Sequence, residues 1–129
     1  MGDRANFGFR ENAEAPIVNL YGHWAGYEMM SKLAHAIDTA RPRWTDHGYA
    51  TRIAISQLIG NDWGQGVSWG IYVNTLGDNE HSVPVVNWDE QTVTLYPAGF
   101  WRYEDAGDAK FTMPFETFIK KFSKVLTTV

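Results

Sequence analysis

The chain has 129 residues, of which 44% are hydrophobic and 15% aromatic, with a formal net charge of −4 and no cysteine. That length suits a single core, which domains commonly build at roughly 100–150 residues. The missing cysteines exclude disulfide frameworks, thiolate nucleophiles, zinc ribbons and iron–sulfur clusters, and fit a reducing cytoplasm.

Ala5, Phe7 and Phe9 alternate with Asn6, Gly8 and Arg10, the period of a half-buried strand. Glu11 to Ala15 reads as a polar turn and residues 16–22 as a second strand, so the chain is expected to open with a hairpin. At Gly22-His23-Trp24-Ala25-Gly26 the strand pattern gives way to a helical one, in which Met29, Met30, Leu33, Ala34 and Ile37 form a stripe. Arg41-Pro42 ends that helix, because proline disfavours a helical residue before it. Thr45 or Asp46 can cap a second helix with the stripe Tyr49, Ile53, Leu58 and Ile59, closed by the glycines of residues 60–66.

Three strand-like runs follow at Val67 to Thr75, Val83 to Trp88 and Thr92 to Tyr96. Their short connections predict an antiparallel meander, with Gly77-Asp78-Asn79-Glu80 as a solvated hairpin turn. Residues 97–110 read as a loop. In the last segment Phe115, Phe118, Ile119, Phe122, Val125 and Leu126 recur at helical spacing, with Thr112 as the expected cap and Glu116 and Lys120 as an i,i+4 pair. The order ββααβββα predicts one α+β domain over residues 1–129, an antiparallel sheet of about five strands with three helices.

Charge is unevenly placed. Residues 76–109 hold Asp78, Glu80, Asp89, Glu90, Glu104, Asp105 and Asp108 against Arg102 alone. Nucleic-acid binding needs basic clusters, so this balance argues against it. The N-terminus lacks the pattern of a secretory signal and no apolar run approaches the ~20 residues of a membrane span, which sets a cytoplasmic expectation.

Two groups of residues are candidates for function. Trp63 stands in a glycine-rich loop, and Phe100-Trp101-Arg102-Tyr103 joins aromatics to an arginine, the composition of interface hot spots. The alternative is a small-molecule or hydrolytic site at the corner, with His23 as acid, base or ligand and Trp24, Glu28 and Asp62 beside it. Its plain counterpart is a packed corner, in which His23 bonds a neighbouring carbonyl and Trp24 lies under the helix. Glu28 then sits in the first helical turn on the favourable side of the dipole. His47, His81, Asp46, Asp78 and Glu80 lack the spacing of a metal site, and no nucleophile elbow or phosphate loop occurs. No cofactor is expected.

Gly2-Asp3-Arg4-Ala5-Asn6, Tyr21-Gly22-His23-Trp24-Ala25-Gly26 and Ser56-Gln57-Leu58-Ile59-Gly60, taken in order, resemble a family of small uncharacterised proteins from actinobacterial phages and their hosts. The resemblance implies an origin and a setting inside a bacterium, and carries over no catalytic residue. The resulting expectation is a non-enzymatic interaction module, a phage-encoded modulator that binds a host intracellular protein through Trp63 and residues 100–103. A homodimer is also expected, because a meander leaves sheet edges that a second copy can cover.

Overall fold

The structure, a computed structural model, describes residues 2–123. Its strands are β1 (Ala5–Arg10), β2 (Val18–Gly22), β3 (Trp69–Val73), β4 (Val83–Asn87), β5 (Thr92–Tyr96) and β6 (Phe111–Pro114). Its helices are α1 (Met29–Thr39), α2 (His47–Ile59) and α3 (Phe115–Phe122). The expected α+β class and the three helices hold. The sheet differs from the expectation: it has six strands in the order β3-β2-β1-β4-β5-β6, and β1 and β4 are parallel while every other neighbouring pair is antiparallel.

The meander fails at β3 and β4, which are not neighbours. All five residues of β4 are buried, so it needs a partner strand on each side and takes the centre beside β1 and β5. In β3 the residues Ile71, Tyr72 and Val73 are exposed, which suits an edge. The sixth strand lies where the sequence suggests only the approach to the last helix. Phe111 to Pro114 pairs with Thr92 to Leu95, and Pro114 rather than Thr112 stands at the N-cap of α3.

One face of the sheet carries the helices. Phe7, Phe9, Leu20, Val86 and Val93 meet Leu33 and Ile37 of α1, Ala50 and Ala54 of α2, and Phe115 and Phe118 of α3. The alanines of α2 let its backbone approach α1 closely. Trp88 stacks on Phe9 at 6.3 Å between centroids and meets Phe115 edge-on at 5.4 Å, while its indole N–H donates to Thr51 Oγ1 at 2.8 Å. A buried tryptophan thus keeps its polar atom satisfied. Val125 and Leu126, expected on the stripe of the last helix, lie outside the described residues.

The other face is covered by chain without regular structure. Segment 74–82 crosses it, so Gly77 to Glu80 is no hairpin turn between paired strands. Arg4 reaches Asp78 at 2.9 Å and Glu80 at 3.3 Å, and the Arg4 backbone N–H donates to Glu80 Oε1 at 2.8 Å. These bonds hold the Glu80 carboxyl below its usual range, the backbone one most strongly. Beneath the segment Asn6 Nδ2 donates to Asn79 Oδ1 at 3.1 Å, and Asn19 Nδ2 donates to Asn6 Oδ1 at 2.7 Å. Both asparagines are fully buried, and each finds partners, as burial of amides requires.

Two further local expectations are corrected. Glu28 is the N-cap of α1, in a left-handed conformation with φ 54°, and not part of its first turn. Glu116 pairs across space with the Arg41 guanidinium rather than with Lys120, and that bond lowers the pKa of its carboxyl.

Candidate functional site

The aromatic residues singled out in the sequence gather at β3. Left-handed residues bracket this strand, Ser68 with φ 81° and Asn74 with φ 63°. Asparagine tolerates that region and serine less so, so each end of β3 is a sharp bend. Asn74 is fixed from three sides: its N–H donates to Ile17 O at 2.9 Å, its Oδ1 accepts from Ile17 N at 2.8 Å and its carbonyl accepts from Tyr103 N at 3.1 Å. The strand is therefore held between two anchored corners, with Ile71 to Val73 exposed.

Trp63 stands on the helix-covered side of β3. After α2 ends at Gly60, whose φ of 62° a side chain would strain, a short turn brings Trp63 over a hollow of about 290 Å³ lined by Leu20, Ile59, Trp69 and Ile71. It remains 54% exposed. Trp101 stands on the opposite side, beside Tyr72 and Leu76, and is 62% exposed. Arg102 lies over the Trp101 ring at 5.6 Å, and Thr75 and Arg102 form an isolated antiparallel bridge.

The other two residues of the loop differ from the expectation of an exposed patch. Phe100 is half-buried against Tyr103 and Tyr96, at 5.4 and 6.3 Å between centroids. The Tyr103 hydroxyl points inward and donates to Asn19 Oδ1 at 2.6 Å, and burial pushes it well above the usual phenol range. Within Phe100-Trp101-Arg102-Tyr103, the middle two residues face outward and the outer two anchor them.

At the corner the candidate ligand residues are brought together only in part, with the His23 ring edge-on to Trp24 at 4.9 Å between centroids. His23 Nδ1 lies 3.0 Å from the Tyr21 hydroxyl, its backbone N–H donates to Ser68 O at 2.8 Å, and its carbonyl accepts from Asp3 N at 2.9 Å. Trp24 and Asp62 line a cleft of about 240 Å³ with Lys32, Leu58 and Trp69, and Asp62 accepts from the Trp69 indole at 3.2 Å. His23 and Glu28 are not part of that lining. Trp24 is 61% exposed, contrary to the expectation that it packs under the helix.

The glycines of the corner have a packing cause. A Cβ on Gly22 would meet Ala25 Cβ at 2.5 Å and the Trp69 ring at 2.7 Å. On Gly26 it would collide with Asp3 and His81, whose Oδ1 and Nε2 lie 2.5 Å apart. The space directly over Gly22 and Gly26 is thus filled by the protein itself.

Arg10 carries no signal in its local sequence pattern. It lines a hollow of about 450 Å³ with Tyr96, Tyr103, Glu14 and Glu104, donates from Nη2 to Ala15 O at 2.9 Å, and leaves Nε buried with no hydrogen-bond partner. Among the described residues no three His, Asp or Glu side chains cluster as a metal site would require, and no helix is long and apolar enough to cross a membrane. Compared with protein-family models, curated proteins and solved structures, the chain matches none.

Proposed function

We propose that the chain is a non-enzymatic protein-interaction module, a phage-encoded modulator that binds a host protein in the bacterial cytoplasm. The observation that carries this reading is the placement of Trp63 and Trp101, each more than half exposed, on opposite faces of one edge strand. Large aromatics held at such exposure by a rigid frame are the anchors that interfaces favour. Arg102 beside Trp101 adds a cation that stacks on aromatics or pairs with carboxylates. Against the hydrolytic alternative stand the engagement of His23 Nδ1 by the Tyr21 hydroxyl, the packing of its ring edge-on against Trp24 at 4.9 Å, and the absence of Glu28 from the lining of the cleft of Trp24 and Asp62.

The test is capture with the tagged full chain from an actinobacterial host lysate, followed by binding measurements on the purified captured protein. Trp63→Ala and Trp101→Ala are each expected to weaken that binding by about 2 kcal/mol, roughly thirtyfold in Kd. Unchanged affinity in both variants overturns the reading.

A further inference from the structure

We propose that the open edge of β3 pairs antiparallel with the same edge of a second copy, about a two-fold axis at Ile71. In an antiparallel pair, alternate residues exchange backbone bonds with the neighbour while those between turn their N–H and C=O away. His23 N donates to Ser68 O, and Asn74 N donates to Ile17 O. These two bonds fix the alternation along the strand. Gly70 and Tyr72 turn towards β2, and Trp69, Ile71 and Val73 present their backbone groups to the outside. Ile71 and Val73 are 57% and 58% exposed, and among the described residues β2 is the one strand paired with β3.

A second copy fits this edge in one register. With Ile71 opposite itself, Trp69 faces Val73 of the other copy, so all three outward residues fall in hydrogen-bonded positions. The intervening pairs bring Tyr72 opposite Gly70 of the other copy. Gly70 presents no Cβ to that ring, and aromatic rings laid over a strand glycine stabilise it, as the chain's own Tyr72 and Tyr21 already do within one copy. Within one copy a Cβ on Gly70 would meet only the Tyr72 and Tyr21 rings, at 3.4 Å or more, so the packing of the single chain does not demand a glycine there.

Charge supports a copy of the same chain as the occupant. Between Asp62 and Asp78 the sequence carries no charged side chain, although 20% of the chain is charged and the net charge is −4. The charged groups that reach this margin from outside the stretch are Asp62, bonded to Trp69, and Arg102, bridged to Thr75, and a two-fold axis at Ile71 sets the Asp62 end of one copy beside the Arg102 end of the other, so unlike charges meet. Natural edges are usually blunted by charge or proline, and the opposite edge of this sheet is: β6 has four residues, follows Lys110 and ends at Pro114. With one edge open and the other blunted, pairing closes at two copies and does not run on into a fibre. Trp63 and Trp101 lie on the sheet faces, so the pairing leaves two sets of them displayed.

Sedimentation equilibrium of the full chain over a dilution series tests this directly. The expected result is a reversible monomer–dimer equilibrium reaching twice the chain mass of 14.6 kDa. Ile71→Lys and Val73→Lys, which set lysines on the axis or beside it, are expected to be monomeric with unchanged circular dichroism. Gly70→Ala, whose Cβ meets the rings of the single chain at no less than 3.4 Å, is expected to weaken the dimer by crowding the partner's Tyr72. Trp101→Ala is expected to keep it. A wild-type chain that stays monomeric at every concentration overturns the proposal, as does a dimer that survives all three edge variants or growth beyond two copies. These results do not depend on the host-protein reading, because Val73→Lys, which lines neither the hollow under Trp63 nor the one beside Trp101, leaves both tryptophans free to capture that protein.

Discussion

Tyr103 and Asn19, 84 positions apart in sequence, are joined by a 2.6 Å hydrogen bond that ties the aromatic loop to the buried centre of the sheet. The bond extends a chain of amides, since Asn19 donates to Asn6 and Asn6 donates to Asn79. Such a network is strong when complete and costly when broken, because each buried amide then lacks a partner.

Tyr103→Phe removes the hydroxyl and leaves Asn19 Oδ1 without that donor. The expected loss of unfolding free energy is about 1–3 kcal/mol, read from urea denaturation of both proteins. Exposure of Trp101 to a fluorescence quencher is expected to rise in the variant as the loop loosens. Equal stability of the two proteins would show that the bond carries no net free energy.

Burial raises the Tyr103 pKa above the ordinary phenol value of 10.0. The sign follows from linkage: the unfolded chain ionises this tyrosine at lower pH than the folded one. Its contribution is therefore complete below pH about 10 and is lost as the pH climbs towards the folded value. Spectrophotometric titration is expected to show Tyr103 ionising only with alkaline unfolding, and Tyr103→Phe to flatten the alkaline limb of stability against pH.

The Glu116 carboxyl titrates below its usual range because Arg41 hydrogen-bonds it. A depressed carboxyl stabilises the fold above its unfolded pKa, and the contribution disappears as the pH falls through its folded value. Both side chains are exposed and screened by solvent, so the effect is small and sensitive to salt. Glu116→Gln is expected to make the acid limb of a thermal-melt series shallower at low salt and to be indistinguishable from wild type at high salt.

Glycine substitutions separate packing from flexibility. Gly26→Ala drives a methyl into Asp3 and His81, and Gly77→Ala drives one into the Tyr21 ring, where its Cβ would lie 2.5 Å from Cδ1. Each is expected to cost about 1–3 kcal/mol. Gly64→Ala, with nothing within 4 Å, is expected to stay within about 0.5 kcal/mol of wild type. A calorimetric ranking with Gly64→Ala lowest in melting temperature would contradict the packing described for the corner.

Phe118 is fully buried beside Phe122, at 4.8 Å between centroids. Phe118→Ala is expected to destabilise by about 3–5 kcal/mol through lost burial and the cavity left behind. Thr117→Ala, at the exposed neighbouring position, is the control for helix propensity in the same melts.

Periodicity made much of this fold legible. The alternation of Ala5, Phe7 and Phe9, the stripe of α1 and the phenylalanines of α3 each follow from one face meeting one core. Strand neighbours were not legible, because a run such as Val83 to Asn87 reveals burial on both faces without naming what lies on either side. Phe111 to Pro114 was too short and too close to the helical stripe to register as a strand. Of the candidate site, Trp63, Trp101 and Arg102 face solvent as expected, whereas Tyr103 does not. Its inward turn depends on Asn19, and a contact that distant leaves no mark in local sequence. Trp24 shows the reverse case: the inner face of the helix beside it is occupied by Met29 and Leu33, and the indole lines an open cleft instead.

Between β1 and its parallel neighbour β4 the chain travels from Arg10 to Val83, through both of the longer helices and two strands. During synthesis, one whole side of β1 stays open until that later segment has been made. Acquisition of the native core is thus deferred to a late, long-range closure, which slows folding relative to proteins built from local contacts. A cell making this chain in quantity meets a half-assembled sheet with Phe7 and Phe9 in its middle, and chaperone capture is expected at that stage.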